Sequence, residues 1–198
     1  MAKKKALKGL REINLFPIVT NTVESYSVGE LLPLPGAQQL TKDDQREEYN
    51  IPADDDVYDA GSDYKYTDIA ITVAELDLET ESKLTGGLYE SETGIFQARN
   101  IDTAPEYALA YAAMFKGGYR LFRHPVAKLM SVKVDHNTKG ESNEIAPYIL
   151  NLRTFHRKID GVHREVKDTE LGEGFGWIQA IDSLPVVPGG GEGGGEGG

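Results

Sequence analysis

Residues 67–74 read TDIAITVA, with Ile69, Ile71 and Val73 on every second position and Asp68, Ala70 and Thr72 between them. A repeat of two sends alternate side chains to opposite faces of an extended chain, so this spacing predicts a half-buried β-strand. The same alternation returns in YRLFRH after Gly118 and in LMSVKVDH, where Met130, Val132 and Val134 share a face. It returns again over Glu144–Arg157, with Tyr148, Leu150, Leu152 and Thr154 on one face and Arg153, Phe155 and Arg157 on the other. The turn-rich HNTKGESN separates the last two, and a turn at Asp160–Gly161 leading into VHREVKD predicts a hairpin. A chain so dominated by this repeat is mainly β.

Two segments carry a different signal. In ELDLETESKLTGG, Leu76, Thr80 and Leu84 recur at helical spacing, glutamates crowd the early turns, Lys83 lies near the end and Gly86–Gly87 supply a stop. That arrangement complements the helix dipole and predicts one short helix. Residues 103–118, TAPEYALAYAAMFKGG, are ambiguous. Thr103, Pro105 and Glu106 resemble a helix start, and local propensity leans to a helix. Read with period two, Tyr107, Leu109, Tyr111, Ala113 and Phe115 form one face and small residues the other.

The stretch Tyr49–Asp63, YNIPADDDVYDAGSD, places five aspartates in fifteen residues. Gln38–Ile51 reads as an extended segment with one hairpin arm, and the acidic run after it as a long connection, so a long acidic loop is expected over about residues 41–66. An EF-hand begun at Asp54 puts Asp56 at its third position but Tyr58, Asp59 and Lys65 where a ligand, a glycine and a bidentate glutamate belong. A looser calcium site of Asp54, Asp56 and Asp59 is the remaining metal alternative. The histidines, His124, His136, His156 and His163, form no HExxH and no i, i+4 pair, and read as surface or edge-strand residues. Asp135–His136 near Ser131 has no nucleophile elbow, GEGFGW has no strand before it and helix after it, and no phosphate-binding GxxxxGK[ST] is present. Trp177 reads as a packing anchor. No catalytic site and no cofactor site is expected.

Charge is unevenly spread along the 198 residues, which carry a net −11. Residues 1–11 hold five bases and no acid, residues 12–115 hold 21 acids and five bases, residues 116–167 hold 11 bases and five acids, and the remainder holds six acids and no base. Blocks of both signs suit a chain that meets copies of itself, the alternative being a solvated surface with accidental blocks. They do not form the single basic face of a duplex-binding protein, and the basic block lacks the aromatic RNA-binding signature. With no cysteine, disulfides and thiolate metal sites are excluded. No run approaches the roughly 18 apolar residues of a membrane span, so no membrane insertion is expected. The expected organisation is a basic arm over 1–14, a β domain over 15–168, and a flexible, glycine-rich tail over 169–198 ending GGGEGGGEGG.

The order of these segments resembles the major tail tube proteins of long-tailed, non-contractile bacteriophages (siphophages) of Gram-positive hosts. The residues that carry the resemblance are YNIPADDDVYD, TDIAITVAELDLETESKLTGG, YALAYAAMFKGGYRLFRHPVAKL, SVKVDHNTKGESNEI and PYILNLRTFHRKIDGVHREV, within about residues 9–168. The resemblance implies an α+β, mainly β sandwich or barrel with a flanking helix, and makes residues 106–115 a strand. It implies a structural virion protein in homo-oligomeric hexameric rings that stack into a tube. Expected partners are the tape measure, tail terminator and distal tail proteins, with viral DNA passing through the lumen without specific binding. It brings no catalytic residue and no cofactor. On this reading Tyr49, Asp54, Asp55, Asp56, Tyr58, Asp59 and Asp63 belong to an inter-subunit loop, and Lys3, Lys4, Lys5, Lys8 and Arg11 are contacts of the N-terminal arm. The expected location is the virion tail, after assembly in the host cytoplasm. The alternatives are a tube subunit of a contractile tail or secretion-type machine, and a soluble ligand-binding or enzymatic β domain.

Overall fold

The computed structural model describes residues 6–53, 56–134 and 146–181, and the side chains of all of these except 50–53 and 56–60. The strands are β1 (Leu7–Asn21), β2 (Tyr26–Val28), β3 (Leu32–Pro33), β4 (Ala37–Ala53), β5 (Asp56–Val73), β6 (Leu88–Glu90), β7 (Ile95–Gln97), β8 (Glu106–Phe115), β9 (Gly118–Val134), β10 (Tyr148–Phe155) and β11 (Glu165–Glu170). The helices are α1 (Leu78–Thr85) and α2 (Gly176–Gln179). Nine strands form one antiparallel sheet in the order β2-β1-β8-β9-β10-β5-β4, with β3 on β1 and β11 on β9, while β6 and β7 form a separate ribbon. The mainly β expectation holds, with most of the strands in one large antiparallel sheet. Leu15 of β1 and Ile71 of β5 belong to one buried cluster with Leu109, Leu129 and Leu150, and Leu40 of β4 packs against it.

Residues 106–115 are a strand, and the reason is on both of its faces. Tyr107, Leu109 and Tyr111 enter the inner core, while Ala108, Ala110 and Ala112 lie in a second buried cluster with Phe16, Leu121 and Ile178. Small residues on the outer face let the chain beyond β11 approach the sheet closely. Packing on two sides overrides the helical propensity of the alanines.

Helix α1 forms where its spacing and caps predict. The Asp77 carboxylate accepts the Thr80 backbone N–H at 2.8 Å, and the Gly86 N–H donates to the Ser82 carbonyl at 2.8 Å from a left-handed φ of 80°. Leu76 and Leu84 then close the inner core.

Several sequence expectations are corrected. The basic arm does not extend to residue 14, because β1 begins at Leu7 and pairs with β8, Lys8 opposite Met114 and Arg11 opposite Ala112. Register shifts after Lys8 and after Arg11, with Gly9 and Glu12 at positive φ, break the period-two pattern and hide the strand. Lys3, Lys4 and Lys5 lie outside the described residues.

The acidic loop of 41–66 is instead most of a long hairpin, β4 paired with β5 from Ala37–Val73 to Ala53–Asp56. The turn at Asp160–Gly161 exists, with the Arg157 N–H donating to the Val162 carbonyl at 2.8 Å, but β11 pairs with β9 and not with β10. Both β10 and β11 run along one edge of β9, and residues 156–164 make an excursion between them. Met130 leaves the face of Val132 at a register shift opposite Asn151–Leu152 and is exposed.

The tail does not begin at 169. Thr169 and Glu170 finish β11, and α2 follows with Ile178 fully buried. Burying a side chain of that size stabilises by about 1.5–3 kcal/mol. Residues 182–198, the glycine repeat included, lie outside the described residues. Among the described residues no helix is long and apolar enough to cross a membrane.

Candidate functional site

The hairpin divides into two parts. From Val73 to Thr67, β5 has β10 on one side and β4 on the other. Beyond Thr67 it pairs, among the described residues, only with β4, so Arg46–Ala53 and Asp56–Tyr64 stand as a two-stranded arm outside the main sheet. Eight residues of β4 at about 3.4 Å each give the arm a length of about 27 Å. A two-stranded ribbon is marginal in water on its own, so its root has to be held.

Three features hold it. A register shift between Gln45 and Arg46, opposite Tyr66 and Tyr64, marks where the arm leaves the sheet. There the Tyr64 ring stacks on His163 at 4.0 Å and 22°. The Asp44 carboxylate accepts the Thr67 hydroxyl at 2.7 Å and Lys42 Nζ at 2.7 Å, with Arg164 Nη1 at 3.6 Å. Burial opposes ionisation of Asp44, but the hydrogen bonds from Lys42 and Thr67 and the charges of Lys42 and Arg164 outweigh it and hold its pKa down at about 2. His163 and Arg164 come from the 156–164 excursion. That excursion is itself anchored by Arg157, which pairs with Asp160 at 2.6 Å and Glu165 at 3.2 Å. Arg157 lies 5.2 Å from the ring of the fully buried Tyr26, whose hydroxyl donates to the Pro125 carbonyl at 2.6 Å.

Along the arm, Tyr49 lies opposite Gly61, and its ring occupies the space a Cβ there would need. The ring thus covers a glycine that has no side chain to pair. Glu47 faces Asp63 across the ribbon, and Lys65 relieves that like-charge pair at 3.1 Å from Glu47. Asp56 and Asp59 belong to the backbone of β5, opposite Ala53 and Ile51, and Tyr58 falls in the register shift beside them. The side chains of these three are not described, and Asp54 and Asp55 lie outside the described residues, so the looser calcium alternative lies there too. Tyr49 and Asp63 therefore share the arm, whereas Lys8 and Arg11 sit in β1 against β8.

Sequence reasoning missed the root. Tyr64, His163 and Arg164 are far apart in the chain, and no local pattern marks their meeting. His124, expected at the surface or an edge, is fully buried, and neither ring nitrogen has a hydrogen-bond partner among the described residues. Burial above all, with Lys42 and Arg164 adding to it, pushes its pKa down to about 3.

β4 is the last strand of the sheet, and Lys42, Asp43, Asp44, Arg46, Glu47 and Glu48 along it discourage indiscriminate edge pairing. Among the described residues no three His, Asp or Glu side chains gather as a metal site.

No protein-family model matches the chain, and no curated protein matches it. Among solved structures it is similar to the anti-feeding prophage cap, described as a tube-terminating cap. That likeness has 11% identity and a TM-score of 0.42, over 85% of this chain and 95% of that one.

Proposed function

We propose that the chain is a tail tube protein of a long-tailed, non-contractile phage, whose copies form hexameric rings that stack into a channel for viral DNA. The observation that carries this reading is the arm: a ribbon about 27 Å long, paired only with itself among the described residues and clamped at its root to a mainly β body. A ribbon that is acidic in sequence and pairs with no other strand among the described residues supports a role in bridging to a neighbouring copy. A contact of one surface with a different surface on the next copy does not close on itself and grows a filament. In this reading the chain is not an enzyme and needs no cofactor. Its partners are further copies of itself and the tape measure, terminator and distal tail proteins, and it resides in the virion after assembly in the host cytoplasm. The net negative charge lets phosphate pass the lumen without sticking.

Sedimentation and negative-stain microscopy of concentrated protein test this reading. Rings or tubes are the expected result, and a monomer at every concentration in low and moderate salt overturns it.

A further inference from the structure

Two surfaces at opposite ends of β8 match each other in charge and apolar character. At the end where β8 turns into β9, an open cavity of about 560 Å³ lies between β1, β4, β8, β9 and β11. Leu7, Leu40 and Val166 are among its apolar lining, and its charged residues are Lys8, Lys42, Arg120 and Arg164. Asp44 pairs with Lys42 and Arg164, and Asp168 with Arg120. No ion pair is formed by Lys8 among the described residues, so the mouth keeps an excess of positive charge.

The other end of β8 is reached through α1 and the β6–β7 ribbon. Residues 75–106 hold eight acids and two bases. In the ribbon Leu88 lies opposite Gln97 and Glu90 opposite Ile95, so these four share a face, and Leu88 and Ile95 are half exposed. Phe96 on the other face packs against Gly87, where its ring leaves no room for a Cβ. Among the described residues the Leu88–Ile95 face is therefore only half covered, and Leu78 and Ile101 are exposed in the same region.

We propose that the cationic, apolar mouth receives the acidic, apolar-faced β6–β7 ribbon of a second copy. The ten residues of β8 separate the two surfaces by roughly 30 Å along the strand, so they cannot meet within one chain. Mouth and ribbon are different surfaces, so the contact is heterologous and sets the polarity of a growing stack. This inference rests on the filament reading and names two of its contact surfaces.

A charge exchange in the full-length protein tests it. Lys8→Glu removes the mouth's excess positive charge and sets a carboxylate against Glu90 of the incoming ribbon, and Glu90→Lys sets an ammonium against Lys8. Each variant alone is expected to raise the critical concentration for assembly by about threefold or more, because every subunit loses the contact. An equimolar mixture is expected to recover wild-type assembly, since each altered surface then finds an opposite charge on the other variant. Wild-type behaviour of either variant alone, or no recovery on mixing, overturns the mouth–ribbon contact while wild-type tubes keep the filament reading. A wild type that never assembles overturns both.

The absence of native cysteine allows a second measurement that does not depend on the reversals folding. Val166→Cys with Ile95→Cys in one chain is expected to give a ladder of disulfide-linked oligomers on mild oxidation. Monomers alone overturn the contact.

Discussion

The ring of Tyr64 lies 4.0 Å from that of His163, nearly parallel to it, at the point where the β4–β5 arm leaves the sheet. One ring belongs to the arm and the other to the excursion between β10 and β11. The pair joins the arm to a loop that Arg157, Asp160 and Glu165 hold in place. Replacing His163 by Ala is expected to destabilise the fold by about 1 kcal/mol, as for other stacked pairs. Its larger effect is expected in hydrogen exchange, with faster exchange confined to Arg46–Glu48 and Ser62–Tyr64. Unchanged exchange there would show that the stack does not hold the root.

His124 is expected to make the fold sensitive to acid. It stacks near Tyr111, with centroids 6.2 Å apart, and the charges of Lys42, Arg164, Asp44 and His163 reach it. Its folded pKa of about 3 lies below the ordinary 6.5, so the unfolded chain takes up a proton that the folded chain refuses. The stability tied to its neutral form is present above pH 6.5 and is lost as pH falls toward 3. His124→Leu is expected to flatten that acid limb in urea titrations between pH 7 and pH 4, with little loss at pH 7, since no hydrogen bond is forfeited among the described residues.

Asp44 acts lower on the pH scale. Its folded pKa of about 2 is below the ordinary 3.8, so its contribution is complete above pH 3.8 and declines as pH falls toward 2. Asp44→Asn is expected to lower stability at pH 7 and to remove the dependence between pH 4 and pH 2. An unchanged acid titration would show that Lys42, Thr67 and Arg164 do not act through this carboxylate.

The segment beyond β11 belongs to the folded body. Asn14 Nδ2 donates to the Ile178 carbonyl at 3.0 Å, and the Arg123 guanidinium lies 4.0 Å from the Trp177 ring centre while donating to the Trp177 and Ala180 carbonyls. Ile178→Ala is expected to cost about 3 kcal/mol by chemical denaturation. A chain ending at Asp168 should be far less stable still, because it exposes Phe16 and the alanine face of β8. Equal stability of that shortened chain would restore the flexible-tail boundary at 169.

What the sequence shows depends on how local the cause is. Asp77, Lys83 and Gly86 announce α1 because capping is settled within a few residues. Ile69, Ile71 and Val73 announce β5 because one face is buried and the other is not. β1 is hidden because the shifts near Gly9 and Glu12 place Leu10, Ile13 and Leu15 out of simple alternation. The strand character of 106–115 rests on Ile178, some seventy positions later, covering the alanine face. The acidic residues stand out in the sequence, but the pairing of Tyr49 with Gly61 that makes them a ribbon does not. Nor does the clamp at the root, which needs β10, β11 and β5 to be in place first.

The bridging role of the arm is measured by the critical concentration for assembly when the arm is removed and the body is kept. Replacing residues 48–62 by Asn-Gly joins Glu47 to Asp63 through a tight hairpin turn and leaves the Tyr64–His163 stack and the Asp44 contacts in place. Light scattering and negative-stain microscopy would follow growth, with thermal melting as the check on the body. If the arm bridges subunits, the shortened chain is a β-rich monomer that melts close to wild type and forms no tubes at concentrations where wild type does. Tubes growing from the shortened chain at the wild-type critical concentration would contradict the bridging role.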